Sequence, residues 1–220
     1  MAKVTSLILT IEGTNPDIIL TKDHKTQSIA LGGNTYELSI KELGYNKKMY
    51  MPGEITATIQ LRVTSSATWV AASKIFLEAF FRNKKVSLKY GDIEKKPTGE
   101  WSITNDSTIC DGYFIHGVEP RYHISSMFVT LNIFSPDKLL TMEKGCKSWV
   151  AEQLGAGIIE GNKEKFKLPY DSTKELAVDY SNLKMLKADG QEEIFPYLVQ
   201  YNESYYDFLV RTCNRWGEFM

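Results

Sequence analysis

Pro196-Tyr-Leu-Val-Gln-Tyr-Asn-Glu-Ser-Tyr-Tyr-Asp-Phe-Leu-Val-Arg-Thr-Cys-Asn-Arg-Trp-Gly-Glu-Phe-Met220 contains a strand, a cap and a helix in succession. From Tyr197 to Tyr201, Tyr, Val and Tyr alternate with Leu and Gln, which is a β-prone run. Ser204 stands at a helix N-cap, with Asp207 three residues on in the capping-box position. Tyr205, Phe208, Leu209, Cys213 and Trp216 then fall at helical spacing. Gly217 follows where a left-handed C-cap residue belongs. Asp207 and Arg211 are four apart, so they are expected to pair on one helix face. Physics alone reads this stretch as a strand, a turn and an amphipathic helix. The apolar helix face should be buried mainly by residues after Ser135.

Working outward, most of the preceding chain carries period-2 patterning. Strands are expected at Val4–Glu12, 17–22, 28–31, 35–42 and 55–63, with a tight turn at Gly32-Gly33. The run at 55–63 alternates best: Ile55, Ala57, Ile59, Leu61 and Val63 against Thr56, Thr58, Gln60 and Arg62. Such a run has one buried face and one wet face. A helix over 68–82 is expected to bury Trp69, Ala72, Ile75, Phe76, Ala79 and Phe80. Further strands are expected at 86–90 and 101–104. Ile109–Glu119 and Tyr122–Phe134 read as a long hairpin about Pro120-Arg121.

Ser135-Pro136-Asp137 marks a break. Beyond it, Leu139, Leu140, Met142, Cys146, Trp149 and Val150 predict a helix over 138–153, ended by Gly155 and Gly157. Short elements at 166–169 and 176–180 and a polar stretch at 184–193 lead to the closing strand and helix. The pattern is a β-rich barrel or sandwich with one inserted helix, then a smaller mixed region.

Composition narrows the functions. The 26 basic and 27 acidic residues leave a net charge of −1, which argues against a nucleic-acid or anionic-membrane partner. Cys110, Cys146 and Cys213 are odd in number and widely spaced. They form neither a disulfide framework nor a zinc motif, and read as reduced, mostly buried thiols. The N-terminus lacks a signal-peptide core, and no stretch has the roughly 20 apolar residues that span a bilayer. Synthesis and folding in the cytoplasm are expected.

Catalytic arrangements are weak. Cys110, Asp111 and His116 would make a thiol hydrolase only if they met, yet Cys110 and His116 are separated by roughly 20 Å along a strand. His116 and His123 lack a clear third metal ligand. Gly32-Gly33 is a turn, not a phosphate loop. Glu42, Asp92, Glu94 and Glu100 have no fixed spacing that would pair carboxylates. Lys47-Lys48, Lys84-Lys85 and Lys95-Lys96 read as solvated loop tips. No catalytic, cofactor or metal residue is assigned.

The string Val199-Gln200-Tyr201, Glu203-Ser204, Asp207-Phe208-Leu209 and Arg211, with Gly217 beyond, resembles the N-terminal hub (phage tail hub, gpD-like) region of VgrG proteins. These are the spike proteins of bacterial type VI secretion systems. The resemblance implies a mainly β fold with helices (α+β): an antiparallel β-barrel of the tail-hub type over 1–135, with one inserted helix. A mixed α/β region over 136–220 would begin the second hub domain, incomplete at its C-terminus. The ten named residues would be structural. The implied function is that of a non-enzymatic hub adapting a trimeric spike to a hexameric tube of Hcp-like protein. Implied partners are that tube, other spike and baseplate subunits, and two further copies when full length, with no nucleic acid, no membrane insertion and no cofactor. Export would run through the secretion apparatus without a signal peptide. The alternative is a β-rich carbohydrate- or protein-binding module using exposed Tyr and Trp.

Overall fold

The computed structural model describes residues 4–22, 26–64, 74–95, 101–124, 126–178, 194–215 and 217. It divides into two compact units: residues 1–46 with 53–135, and residues 47–52 with 136–220.

The first unit is one antiparallel sheet of eight strands: β1 (Val4–Glu12), β2 (Ile18–Thr21), β3 (Gln27–Leu31), β4 (Asn34–Asn46), β5 (Glu54–Val63), β6 (Lys85–Lys95), β7 (Trp101–Tyr122) and β8 (Met127–Phe134). Their order in the sheet is β2-β1-β6-β7-β8-β5-β4-β3. The expected alternation sets the faces. Ile55, Ala57, Ile59 and Leu61 of β5 are buried, as are Met127, Val129, Leu131 and Ile133 of β8. These side chains join Leu9, Ile18, Leu38, Val86 and others in one aliphatic core. Gly32 and Gly33 turn the β3–β4 hairpin at φ of 58° and 78°, a conformation open to glycine without a Cβ clash.

Among the described residues, backbone ladders do not close this sheet into the expected barrel. The terminal strands are linked otherwise. The Gln27 carboxamide of β3 accepts from Ile19 N–H and donates to Asp17 C=O, both at 2.7 Å. An isolated parallel bridge also joins Lys22 to Ile40 of β4.

Several boundaries differ from the sequence reading. The expected strands at 101–104 and 109–119 are one strand, β7, bulged against β6 and with Asn105 at φ of 52°. The β7–β8 turn lies at His123–Ser126, where His123 N–H donates to Ser126 C=O, not at Pro120-Arg121. Helix α1 is described over Lys74–Phe81; Trp69 and Ala72 lie outside the described residues. Its buried face is Leu77 and Phe81, whereas Ile75 and Phe76 are 79% and 56% exposed, and Ala79 is also exposed. Its sequence, KIFLEAFF, is apolar nearly all round, so periodicity could not choose the inward face.

The second unit corrects the sequence reading more sharply. No helix runs over 138–153. Pro136–Thr141 is a 3-10 turn, and Lys144–Gln153 is strand β9. A π-helical turn (Leu154–Ile159) and a 3-10 turn (Glu160–Lys165) follow, then the small pair β10 (Lys167–Leu168) and β11 (Asp171–Glu175). Strand β12 (Ile194–Ser204) pairs antiparallel with β9, and α2 (Tyr205–Arg215) continues it. Lys144-Gly-Cys-Lys-Ser is poor helix material, and the β12 edge supplies its backbone partners, so tertiary pairing overrides the helical spacing. The polar stretch at 184–193, with residues 179 and 180, lies outside the described residues.

Candidate interface at the closing strand and helix

Strand β12 enters α2 without a loop, so a cap must turn the chain. Ser204 supplies it: its Oγ accepts from Asp207 N–H at 3.0 Å and donates to the Asp207 carboxylate at 2.6 Å. The first-turn carboxylate also suits the helix dipole. The expected Asp207–Arg211 pair is replaced by another. Arg211 forms a two-point contact with Glu203, at 3.2 and 2.6 Å, and also donates to Val199 C=O at 2.8 Å. The hydrogen bond to Glu203 holds the Arg211 pKa above its ordinary value, against the small opposing effect of burial. The guanidinium lies 5.6 Å from the Phe208 ring centroid. Arg211 therefore straps the helix to the preceding strand.

The helix buries Tyr205, Tyr206, Phe208, Leu209, Thr212 and Cys213. Phe208 stacks on Trp149 of β9 at 4.9 Å, and Tyr205 stacks on Phe166 at 5.8 Å. The Tyr205 hydroxyl donates to Ile158 C=O at 2.7 Å, and burial raises its pKa. Gln200 is buried and donates to Glu203 C=O at 2.9 Å across the β12 bulge. Gly217 has φ of 75°, and its N–H donates to Asn214 C=O. Trp216 lies outside the described residues.

The other face of the β9–β12 ribbon is open. Tyr197 and Tyr201 are 62% and 78% exposed, opposite Val150 (65% exposed) and Cys146. Half-buried Val199 stands between the two tyrosines, opposite Ser148. Alternation in β12 foretells this segregation of faces. Helical spacing over 138–153 gives no sign of the Trp149–Phe208 stack, and helix periodicity gives none of the Glu203–Arg211 pair because Glu203 precedes the helix.

The suspected chemical residues do not assemble. Cys110 is half-buried against the sheet core, while Asp111 on the same strand pairs with Lys85 at 3.2 Å. His116 packs edge-on to Phe114 and Phe134, and His123 to Phe128. Cys146 is exposed rather than buried, and its Sγ accepts from Asn202 N–H at 3.3 Å. Among the described residues, no three His, Cys, Asp or Glu side chains cluster as a metal would require. Glu100 and Lys96 lie outside the described residues.

No protein-family model matches this sequence, and no curated protein does. Solved structures do. One chain of a lidless PdpA–VgrG complex is 12% identical, aligns with 98% of this chain and gives a TM-score of 0.50. A lidded Francisella PdpA–VgrG complex is also 12% identical over 98% of this chain, with a TM-score of 0.49. An E. coli type VI secretion component, described as similar to the T4 tail proteins gp27 and gp5, is 10% identical over 84% of this chain, at 0.46. This chain spans 32% of the first of these structures, 26% of the second and 41% of the third. The fold is VgrG-like: mostly antiparallel sheet with a small C-terminal helix.

Proposed function

We propose that this chain is a structural, non-enzymatic part of the spike of a contractile injection machine: the hub of a VgrG-like protein of a type VI secretion system. The observation that carries the reading is the fold likeness to the VgrG complex along nearly the whole chain. The strapped strand–helix joint supports it separately, because several residues of the family-like string hold that joint together. Ser204 caps, Arg211 ties, and Phe208 and Leu209 fill the core. In this reading the sheet of residues 1–135 is the tail-hub barrel unit, and residues 136–220 begin the second hub domain. Three full-length copies form a ring that adapts the spike to a hexameric tube of Hcp-like protein. Assembly takes place in the cytoplasm, and export uses the apparatus itself. The open face bearing Tyr197, Tyr201 and Val150 is the natural subunit contact, since exposed apolar surface rimmed by polar groups marks interaction sites.

The test is assembly. The full-length protein should sediment as a trimer and co-elute with Hcp-like rings from the same genome. Tyr201→Glu combined with Val150→Glu should return it to monomer. A monomer that ignores the rings and retains on immobilised glycans would replace this reading with that of a carbohydrate-binding module.

A further inference from the structure

The loop of residues 47–52 leaves the first unit after β4 and belongs to the second. It turns tightly: Met51 N–H donates to Lys48 C=O at 3.2 Å, and Tyr50 adopts φ of 60°. A left-handed backbone is unfavourable for an aromatic residue, by about 1 kcal/mol or more. This strained turn sets two methionines outward, Met49 at 67% and Met51 at 55% exposure, beside the exposed cations Lys47 and Lys48. The four line a cavity of about 300 Å³ together with Asp137 and Tyr206. Tyr206 is only 5% exposed. Its hydroxyl has no hydrogen-bond partner among the described residues, so the buried ring brings an unused donor to the cavity wall.

We propose that this cavity is a docking notch for an acidic peptide segment of a partner protein. One apolar side chain enters between Met49 and Met51, carboxylates meet Lys47 and Lys48, and the Tyr206 hydroxyl donates to a peptide carbonyl. Each part of the lining selects this occupant. The volume lies at the lower end of the range of about 300–1,000 Å³ for small-molecule sites, so it suits one side chain better than a cofactor. Methionine is flexible and polarizable, which suits an apolar anchor of variable shape. The two lysines supply the charge complementarity, in a chain whose net charge of −1 gives no broad basic field for nucleic acid. Asp137 in the wall and the concave shape disfavour a flat anionic membrane.

Fluorescence anisotropy of the whole chain tests this with a labelled Glu-Asp-Glu-Leu-Phe-Asp-Glu peptide. One control peptide carries Ser-Ser in place of Leu-Phe; the other carries lysine at every acidic position. Vesicles of phosphatidylserine and phosphatidylcholine form the fourth arm. Saturable binding is expected for the first peptide only. It should weaken at least about tenfold with Lys47→Glu plus Lys48→Glu. Tyr206→Phe, which keeps the ring and the fold, should weaken it about threefold. Absence of saturable binding, equal binding of either control, preference for the vesicles, or indifference to both variants each overturns the assignment.

Discussion

The two units of this chain solve the same burial problem with different materials. The first fills its interior with Leu, Ile and Val from eight strands, and six of those strands have a partner on each side. Among the described residues the second has ladders of two strands only, and a relay of rings runs through its interior among Leu154, Ile158, Leu198 and Leu209: Trp149 on Phe208, Phe208 near Tyr205, Tyr205 on Phe166. A lone two-stranded ribbon is marginally stable in water, so the ribbon depends on the helix that covers one of its faces. In the first unit stability is spread over many replaceable contacts; in the second it is concentrated in a few large side chains.

The largest effect should come from the hub of that relay. Phe208 is fully buried, so Phe208→Ala should cost about 3–5 kcal/mol. Hydrogen exchange should then show lost protection throughout β9, β12 and α2. Retained protection there would mean that the rings are not what holds the second unit. Leu61→Ala is the matched lesion in the sheet. It leaves a cavity costing about 2–5 kcal/mol, but the strands on either side should keep β5 protected from exchange. A β5 that unfolds by itself would erase the contrast drawn above.

Smaller effects separate the joint from the core. Ser204→Ala removes the cap and should lower denaturant stability by about 1 kcal/mol, with Ser204→Asp restoring most of it. Arg211 is 46% exposed, so its pairing with Glu203 should give a coupling of only about 0.5 kcal/mol in a double-mutant cycle with Glu203→Gln and Arg211→Met. The smallest effect belongs to Asp106, whose hydrogen bond and charge pairing with Lys89 hold its carboxyl below the usual range. A depressed folded pKa stabilises above the unfolded pKa and is lost as pH falls through the folded value. Asp106→Asn should therefore lower melting slightly at pH 7, leave it unchanged well below the folded pKa, and so flatten the acid side of a stability–pH curve.

The same contrast explains what could be read from the sequence. Period-2 alternation specifies a sheet face directly, so β5 and β8 gave their buried residues in advance. Gln60 is the exception: it sits on the expected wet face of β5 yet is buried, with its carbonyl oxygen unsatisfied among the described residues. The second unit was harder because its elements are fixed by distant partners. Nothing local in 144–153 announces β12 as its neighbour fifty residues on. Leu139, Leu140, Met142, Cys146 and Trp149 mimic a helix only while that neighbour is ignored. At the joint, the capping serine was visible because caps are local. The Arg211 partner was not, because it lies on the strand that precedes the helix.

Gln27 gives the sheet something that its ladders do not. A carboxamide has one accepting and one donating end, and Gln27 matches these to Ile19 N–H and Asp17 C=O. Sliding β2 by one residue would turn those backbone groups away and leave both ends of the side chain unmatched. The side chain thus fixes the phase of two strands that share no backbone ladder, as turn residues do for hairpins. Where the sheet meets itself, the Gln27 side chain adds registration to the single backbone bridge between Lys22 and Ile40. An aliphatic residue at position 27 would leave the edges of β2 and β3 free to seek a strand from another molecule.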